Sequence, residues 1–235
     1  MDWPENTESK SGSSPIETIG TTTNAGLHGF VMQQVLSRLA KPNMKAADLG
    51  TGPGAIAQAL KSFGCDVVGV DLSANGFQAD APHLLANLDQ TDFASVLGTA
   101  SFGLVTAIEV IEHVENPIGF LRNIGNMLAP GGHAVLTTPN VESLPARLKM
   151  LLSGKIRTMD ESGEPTHISP IFMDLLKRQY LRRTRLELAE HLYFPSNGFQ
   201  MSRRPVRILL GVAARILPGK HLLGDNHIWV FRAKP

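Results

Sequence analysis

A single cysteine, Cys65, is all the thiol that these 235 residues carry. That excludes an intramolecular disulfide framework and a zinc ribbon built on several thiolates, and it fits a reducing compartment. No apolar run approaches the ~18 residues of a membrane-spanning helix. The opening stretch, Met1 to Pro15, is polar and lacks the apolar segment of a secretory signal. It is expected to form a mobile leader (1–15) ahead of one domain at 16–235. Aromatic residues make up only 6% of the chain and are not interleaved with basic ones as a stacking surface requires, so nucleic acid is not expected as a partner.

What is present suffices for a core of its own: 43% hydrophobic and 18% charged residues, which excludes a disordered or collagen-like chain. A cytoplasmic protein is expected, with membrane association as a second option. The net charge of +1 hides an asymmetry. From Lys177 to Pro235 there are 12 Lys and Arg against 3 Asp and Glu, and the rest of the chain is correspondingly acidic. A basic end of this kind reads either as a solvated face or as a surface for an anionic partner.

Periodicity organises the chain. Leu27, Phe30, Val31, Val35, Leu36 and Leu39 recur at helical spacing. Strand and helix signals then alternate. Lys45–Leu49 is a strand ending in a glycine-rich turn, Ala55–Phe63 a helix stopped by Gly64, and Asp66–Leu72 a valine-rich buried strand. Leu104–Ile108 is a further strand, Asn116-Pro117 caps a helix through Leu128, and His133–Thr138 is another strand. Beyond Pro139 the pattern loosens into a helix (Leu144–Leu152), a polar loop (Arg157–His167), a helix (Ile171–Tyr180) and late strands at Leu186–Phe194 and Ile228–Arg232. Such alternation predicts an α/β fold, doubly wound on a mainly parallel sheet with helices on both faces and a late antiparallel strand.

The turn Asp48-Leu49-Gly50-Thr51-Gly52-Pro53-Gly54 lies between a strand and a helix, where glycine lets backbone N–H groups come close to a ligand. Asp71 ends the next strand, placed to accept hydrogen bonds from a ribose hydroxyl pair. Gly50, Gly52 and Ala55 also satisfy the G-x-G-x-x-A fingerprint of nicotinamide-dependent oxidoreductases, which stands as an alternative. Against it, Asp48 places an anion before the first glycine, and Pro53 removes an N–H that a diphosphate would use. A sulfonium ligand with an amino-acid tail suits the turn better.

On these residues the chain resembles the class I S-adenosylmethionine-dependent methyltransferases. ADLGTGPG looks like their first motif, VVGVDLS like their ribose-binding strand, and the stretch from Phe102 to Asn140 like their fourth strand through their fifth. Within that superfamily it is similar to the branch of ubiquinone-type O-methyltransferases and bacterial methyltransferases of cell-surface and lipid biosynthesis. The resemblance runs from about Asp48 to Asn140 and reaches loosely to His167-Ile168-Ser169-Pro170. It implies a cofactor-binding core at about 45–140 and an acceptor-binding cover at about 141–225. It also implies S-adenosylmethionine as methyl donor and S-adenosylhomocysteine as product. Cofactor contacts are implied for Asp48, Gly50, Thr51, Gly52 and Gly54 at the methionine end, and for Asp71 and Leu72 at the ribose and adenine. Asn87 and Leu88 are implied in the third-strand position, with Ile108 and Glu109 under the reactive methyl. Gly103 replaces an aspartate that relatives commonly carry, a departure read as structural.

Glu109, Glu112 and His113 are spaced to share one face of a helical turn. Relatives with a similar E-x-x-E-H bring a second histidine, here His167. Glu109, Glu112, His113 and His167 are therefore the candidate catalytic residues and the candidate ligands of a divalent metal such as magnesium. Histidine acting as a base without metal, and a purely positioning role, remain alternatives. The expected acceptor is a small molecule or a lipid-linked one, methylated on oxygen; a non-catalytic cofactor-binding protein is the other alternative. The basic apolar segment Arg203–Leu217 reads either as an amphipathic helix resting on an anionic membrane or as a core helix with snorkelling arginines.

Overall fold

The computed structural model describes Ile19 and residues 24–161, 163–200 and 204–234. The expected leader at 1–15 and Arg203 therefore lie outside the described residues. Helix α1 (Leu27–Val31) runs through a π turn (Met32–Leu36) into α2 (Ser37–Leu39). Then follow β1 (Lys45–Leu49), α3 (Ala55–Ser62), β2 (Asp66–Asp71), β3 (His83–Leu85), α4 (Phe93–Leu97), β4 (Phe102–Ile108), α5 (Pro117–Met127) and β5 (Leu128–Pro139). The chain continues with α6 (Leu144–Ser153), α7 (Met173–Leu175) with a π and a 3-10 turn to Arg183, β6 (Leu186–Phe194), α8 (Arg204–Ile216) and β7 (Asn226–Ala233).

The strands form one seven-stranded sheet in the order β3-β2-β1-β4-β5-β7-β6. Only β7 runs against its neighbours β5 and β6, so the expected doubly wound sheet with a late antiparallel strand is what the chain adopts. Two of its strands come from beyond residue 140, and β6 falls within the stretch read as cover.

Side chains alternate along each strand with period two, and both faces are apolar. Ala47, Val105, Leu136, Trp229 and Phe231 point into one core, closed by Phe93, Phe120, Ile124 and Leu176. Ala46, Leu104, Val135, Ile228 and Val230 point into the other, closed by Leu27, Val31, Val35, Ile56 and Leu60. Along the central strands neither face meets water, which is why they read as largely apolar runs, whereas the edge strands β3 and β6 are partly exposed. Asn116 caps α5 as expected, its side-chain oxygen accepting from Gly119 N–H at 2.9 Å. A Cβ at Gly103 would come within 2.7 Å of the Met44 side chain, so the aspartate of relatives has no room there.

One buried group ties the first helix to pH. His28 has an Nδ1 with no partner, and burial lowers its pKa to about 4. A folded-state pKa below the unfolded value means that stability is complete above pH ~6.5 and is lost as pH falls toward 4. Asp48, whose pKa burial raises, pulls the other way over part of that range, so wild type must be compared with a single variant. His28→Leu is expected to gain up to about 2 kcal/mol relative to wild type between pH 7 and pH 5. Urea unfolding at both pH values measures this, and an unchanged difference removes the assignment.

Candidate functional site

Between β1 and β4 the strand order reverses, and the crevice at the carboxyl ends of these strands is where open α/β sheets bind ligands. The glycine turn leaves β1 here and Glu109 leaves β4. A crevice of about 290 Å3 is lined by Gly50, Ile108, Glu109, His113, Thr158 and His167, among others.

The turn itself is held from below. Asp48 is 2% exposed; it accepts from the Thr51 and Thr106 hydroxyls, both at 2.7 Å, and from the Ala57 backbone. Burial raises its pKa to about 6 in spite of these donors. The resemblance implied a cofactor contact for this carboxylate at the methionine end. Its side chain instead clamps the turn to β4 and to the start of α3.

Gly50, Gly52 and Gly54 all have left-handed φ (64°, 50° and 95°). A Cβ on Gly50 would lie 2.5 Å from Val110, and one on Gly54 2.7 Å from Ala79, whereas one on Gly52 would meet nothing within 4 Å. Gly50 and Gly54 are thus glycine for the fold, while Gly52 faces open space. Asp71 reaches across to it: Oδ2 accepts from Gly52 N–H at 2.8 Å and Oδ1 from Leu72 N–H at 2.7 Å. Each oxygen keeps a lone pair for a further donor. Leu72 is 69% exposed beside it, an apolar surface awaiting cover.

Three expectations need correction. The third strand is His83–Leu85, so Asn87 and Leu88 lie after it. Leu88 turns into the core, and the Asn87 oxygen accepts from Asp89 N–H in a local turn. Next, Glu109 to His113 form no helical turn. Glu109 has φ 57°, and the chain makes a tight turn with His113 N–H donating to the Val110 carbonyl. That geometry gives the two glutamates different partners, although they stay close enough for Glu109 to raise the pKa of Glu112. Glu109 accepts from the Thr137 hydroxyl at 2.8 Å and from the Asn226 amide at 2.7 Å, one donor on each oxygen, which turns the carboxylate toward β5 and β7. The third correction follows: Glu109 does not join the cluster expected to hold a metal.

Glu112, His113 and His167 do come together, with one ligand atom from each within 4.8 Å of the others. Glu112 is fully buried; neither carboxylate oxygen has a partner in good hydrogen-bond geometry, and the buried Thr138 hydroxyl is the nearby donor that favours its ionised form. Burial, with the nearby Glu109 adding to it, pushes its pKa well above the ordinary carboxylate range. His113 Nδ1 lies 3.2 Å from the Thr166 carbonyl and His167 Nδ1 2.9 Å from the Thr158 carbonyl. A carbonyl only accepts, so each Nδ1 carries a proton, and it is the Nε2 of a neutral ring that has the lone pair free. The two rings meet edge to face, their centroids 4.7 Å apart. Burial and the neighbouring His167 lower the pKa of His113, favouring the neutral imidazole. The loop carrying His167 is pinned by Ile168 and Ser169 N–H groups, both donating to the Glu112 carbonyl at 2.9 Å.

An orphaned buried carboxylate beside two imidazole lone pairs fits a divalent cation. Two nitrogens and one oxygen suit a borderline transition ion better than magnesium, which favours an all-oxygen shell.

Residues 28–196 match the family model described as a methyltransferase domain. The chain belongs to that family. It is 32% identical over 116 residues to a ubiquinone biosynthesis O-methyltransferase of Xanthomonas campestris pv. campestris (strain B100), covering 46% of this chain and 48% of that protein. To the enzyme of the same name from Aliivibrio fischeri (strain MJ11) it is 30% identical over 105 residues, covering 41% and 44%. The chain spans about half the length of the curated relatives it matches. Its fold is that of class I methyltransferases. It is similar to an S-adenosylmethionine-dependent methyltransferase from Archaeoglobus fulgidus (TM-score 0.58, 16% identity, covering 87% of this chain and 94% of that one). It is also similar to phosphoethanolamine N-methyltransferase 2 of Haemonchus contortus in complex with S-adenosylmethionine (TM-score 0.54, 17% identity, 87% and 52%).

Sequence reasoning missed Thr137, Asn226 and Thr158. Asn226 enters opposite Pro139 through the antiparallel pairing of β7 with β5, a contact no local pattern announces.

Proposed function

We propose that this chain transfers a methyl group from S-adenosylmethionine to a hydroxyl oxygen of a small or lipid-linked acceptor. The observation that carries the reading is the pairing, in one crevice, of an open glycine turn with a carboxylate–imidazole cluster. The turn and Asp71 suit a nucleoside with hydroxyl donors. A sulfonium methyl is already activated, so alignment of the acceptor can supply much of the acceleration, about 7–11 kcal/mol in favourable cases. An amine attacks with its own lone pair, whereas a hydroxyl must lose a proton as the O–C bond forms and the C–S bond breaks. His113 Nε2 is the group suited to take that proton. If His113 Nε2 instead binds a metal it cannot be that base; Glu112, His113 and His167 would then hold a divalent transition ion, which would lower the pKa of the acceptor hydroxyl so that solvent takes the proton. The O-methyltransferase relatives, matched across less than half of their own length, favour the same chemistry.

The test is incubation of the protein with methyl-labelled cofactor and fractionated cell extract. Label is expected in a small-molecule or lipid fraction, as an ether stable to alkali. Release as methanol on alkaline treatment points to a carboxyl acceptor, and cofactor binding without transfer into any fraction leaves a non-catalytic binder; either result defeats the proposal.

A further inference from the structure

Ten of the sixteen large apolar side chains exposed among the described residues lie on two neighbouring segments. Leu148, Met150, Leu151 and Leu152 belong to α6; Val206, Ile208, Leu209, Val212, Ile216 and Leu217 lie on α8 or next to its end. The two helices share a small core of Leu144, Phe199, Ala214 and Leu222. On α8 Leu210, Gly211, Ala213 and Ala214 face that core, while Leu209, Val212 and Ile216 follow one another at helical spacing on the outside. This reverses the usual surface helix, whose outer face is polar.

Charge says what would cover it. Residues 143–158 carry Arg147, Lys149, Lys155 and Arg157, and residues 204–223 carry Arg204, Arg207, Arg215 and Lys220; neither segment contains an Asp or Glu. Lys149, Lys155 and Arg157 pair with Asp160, Glu161 and Asp225 from adjoining segments, which leaves an excess of cations around the apolar residues. A second copy of the chain docked by the same face would set cations against cations. An anionic bilayer meets both features, taking Leu and Ile among its acyl chains and Arg and Lys at its headgroups.

We propose that α6 and α8 form a docking face for an anionic lipid bilayer. A groove of about 460 Å3, with apolar walls of Val141, Met150, Leu151, Ile156 and Phe172 and the charged pair Glu142 and Arg147 also in its lining, opens at the exposed residues of α6. Its inner wall, Val141, lies two residues from Pro139 in the crevice, so a docked protein would offer an apolar slot near its candidate site to a membrane-held acceptor. Docking is read without turnover and stands or falls apart from the methyl-transfer proposal.

The full chain is tested by co-flotation with phosphatidylcholine vesicles carrying about one-third phosphatidylglycerol, and with phosphatidylcholine alone. Wild type is expected to float with the anionic vesicles, weakly with the neutral ones, and less as salt rises. Leu209→Glu combined with Ile216→Glu should weaken binding at least tenfold while its thermal unfolding stays that of wild type. Lys220→Glu, which leaves the apolar face intact, should weaken it less, and more at low salt than at high. Equal flotation with both vesicles, no flotation of wild type, or unchanged flotation of the double variant overturns the proposal. So does a concentration-dependent dimer that the same double variant dissociates, which would make the face a contact between copies.

Discussion

Glu112→Gln and His113→Ala are each expected to lower the rate of methyl transfer into the labelled fraction by about 100-fold to 1,000-fold, the scale of losing a positioned acid–base group. Cofactor affinity should stay within about twofold, since neither side chain belongs to the glycine turn or to Asp71. Glu112 makes the stronger case because its two possible roles move stability in opposite directions. A fully buried carboxylate without a well-aligned partner is a cost to the fold, and burial pushes its pKa up in spite of the nearby Thr138 hydroxyl. The neutral isostere Gln removes that cost, so Glu112→Gln should unfold at or above the wild-type temperature while losing activity. A carboxylate kept only to support the turn would show the reverse, lower stability with activity retained. His167→Ala separates the remaining readings. If the cluster holds a metal, this variant and chelator-treated wild type lose the same activity, and manganese or zinc restores only the wild type. Full activity after chelation leaves His113 as a base acting alone, and a Glu112→Gln rate within tenfold of wild type sinks the cluster altogether.

How far the chain could be read in advance follows from the range of the forces involved. The alternating elements were legible because buried parallel strands and capped helices carry their patterns locally: the valines of β2, the Asn116-Pro117 cap, the glycines after β1. The Glu112–His113–His167 grouping was half legible. His113 and Glu112 are adjacent in sequence, but their partner arrives on a loop whose placement rests on two backbone hydrogen bonds to Glu112. Glu109 misled because three-and-four spacing presumes a helix, and the left-handed backbone at that residue breaks the presumption. Once rotated away, its carboxylate is claimed by Thr137 and Asn226, and Asn226 stands 117 residues distant in sequence. Asp48 misled for a different reason. An anion beside a glycine turn suggests a charged ligand, yet its donors come from a hydroxyl three residues on and another on the neighbouring strand β4. Long-range pairing, unlike periodicity, leaves no mark on either partner alone.

Asp71→Ala should raise the dissociation constant for S-adenosylhomocysteine about 100-fold, by titration calorimetry. Two hydroxyl donors to an ionised carboxylate are lost, each worth about 1.5–3 kcal/mol, and 1.4 kcal/mol is a factor of ten, so part of the loss is being met by water. Asp71 also holds Gly52 N–H, so its removal alone does not separate direct contact from a loosened turn. The glycines supply that separation. Gly52→Ala puts a methyl into open space at a left-handed residue, costing the fold only about 1–2 kcal/mol, but it fills the volume through which a ligand would approach. Affinity should therefore fall at least tenfold with a modest drop in unfolding temperature. Gly50→Ala drives its methyl to 2.5 Å from Val110, where backbone or core must move, so its main effect should be on stability. A Gly52→Ala protein that binds as wild type would mean that nothing passes over this turn. An Asp71→Ala protein that binds as wild type would mean that the carboxylate serves the turn alone, and the sugar would have to be held elsewhere.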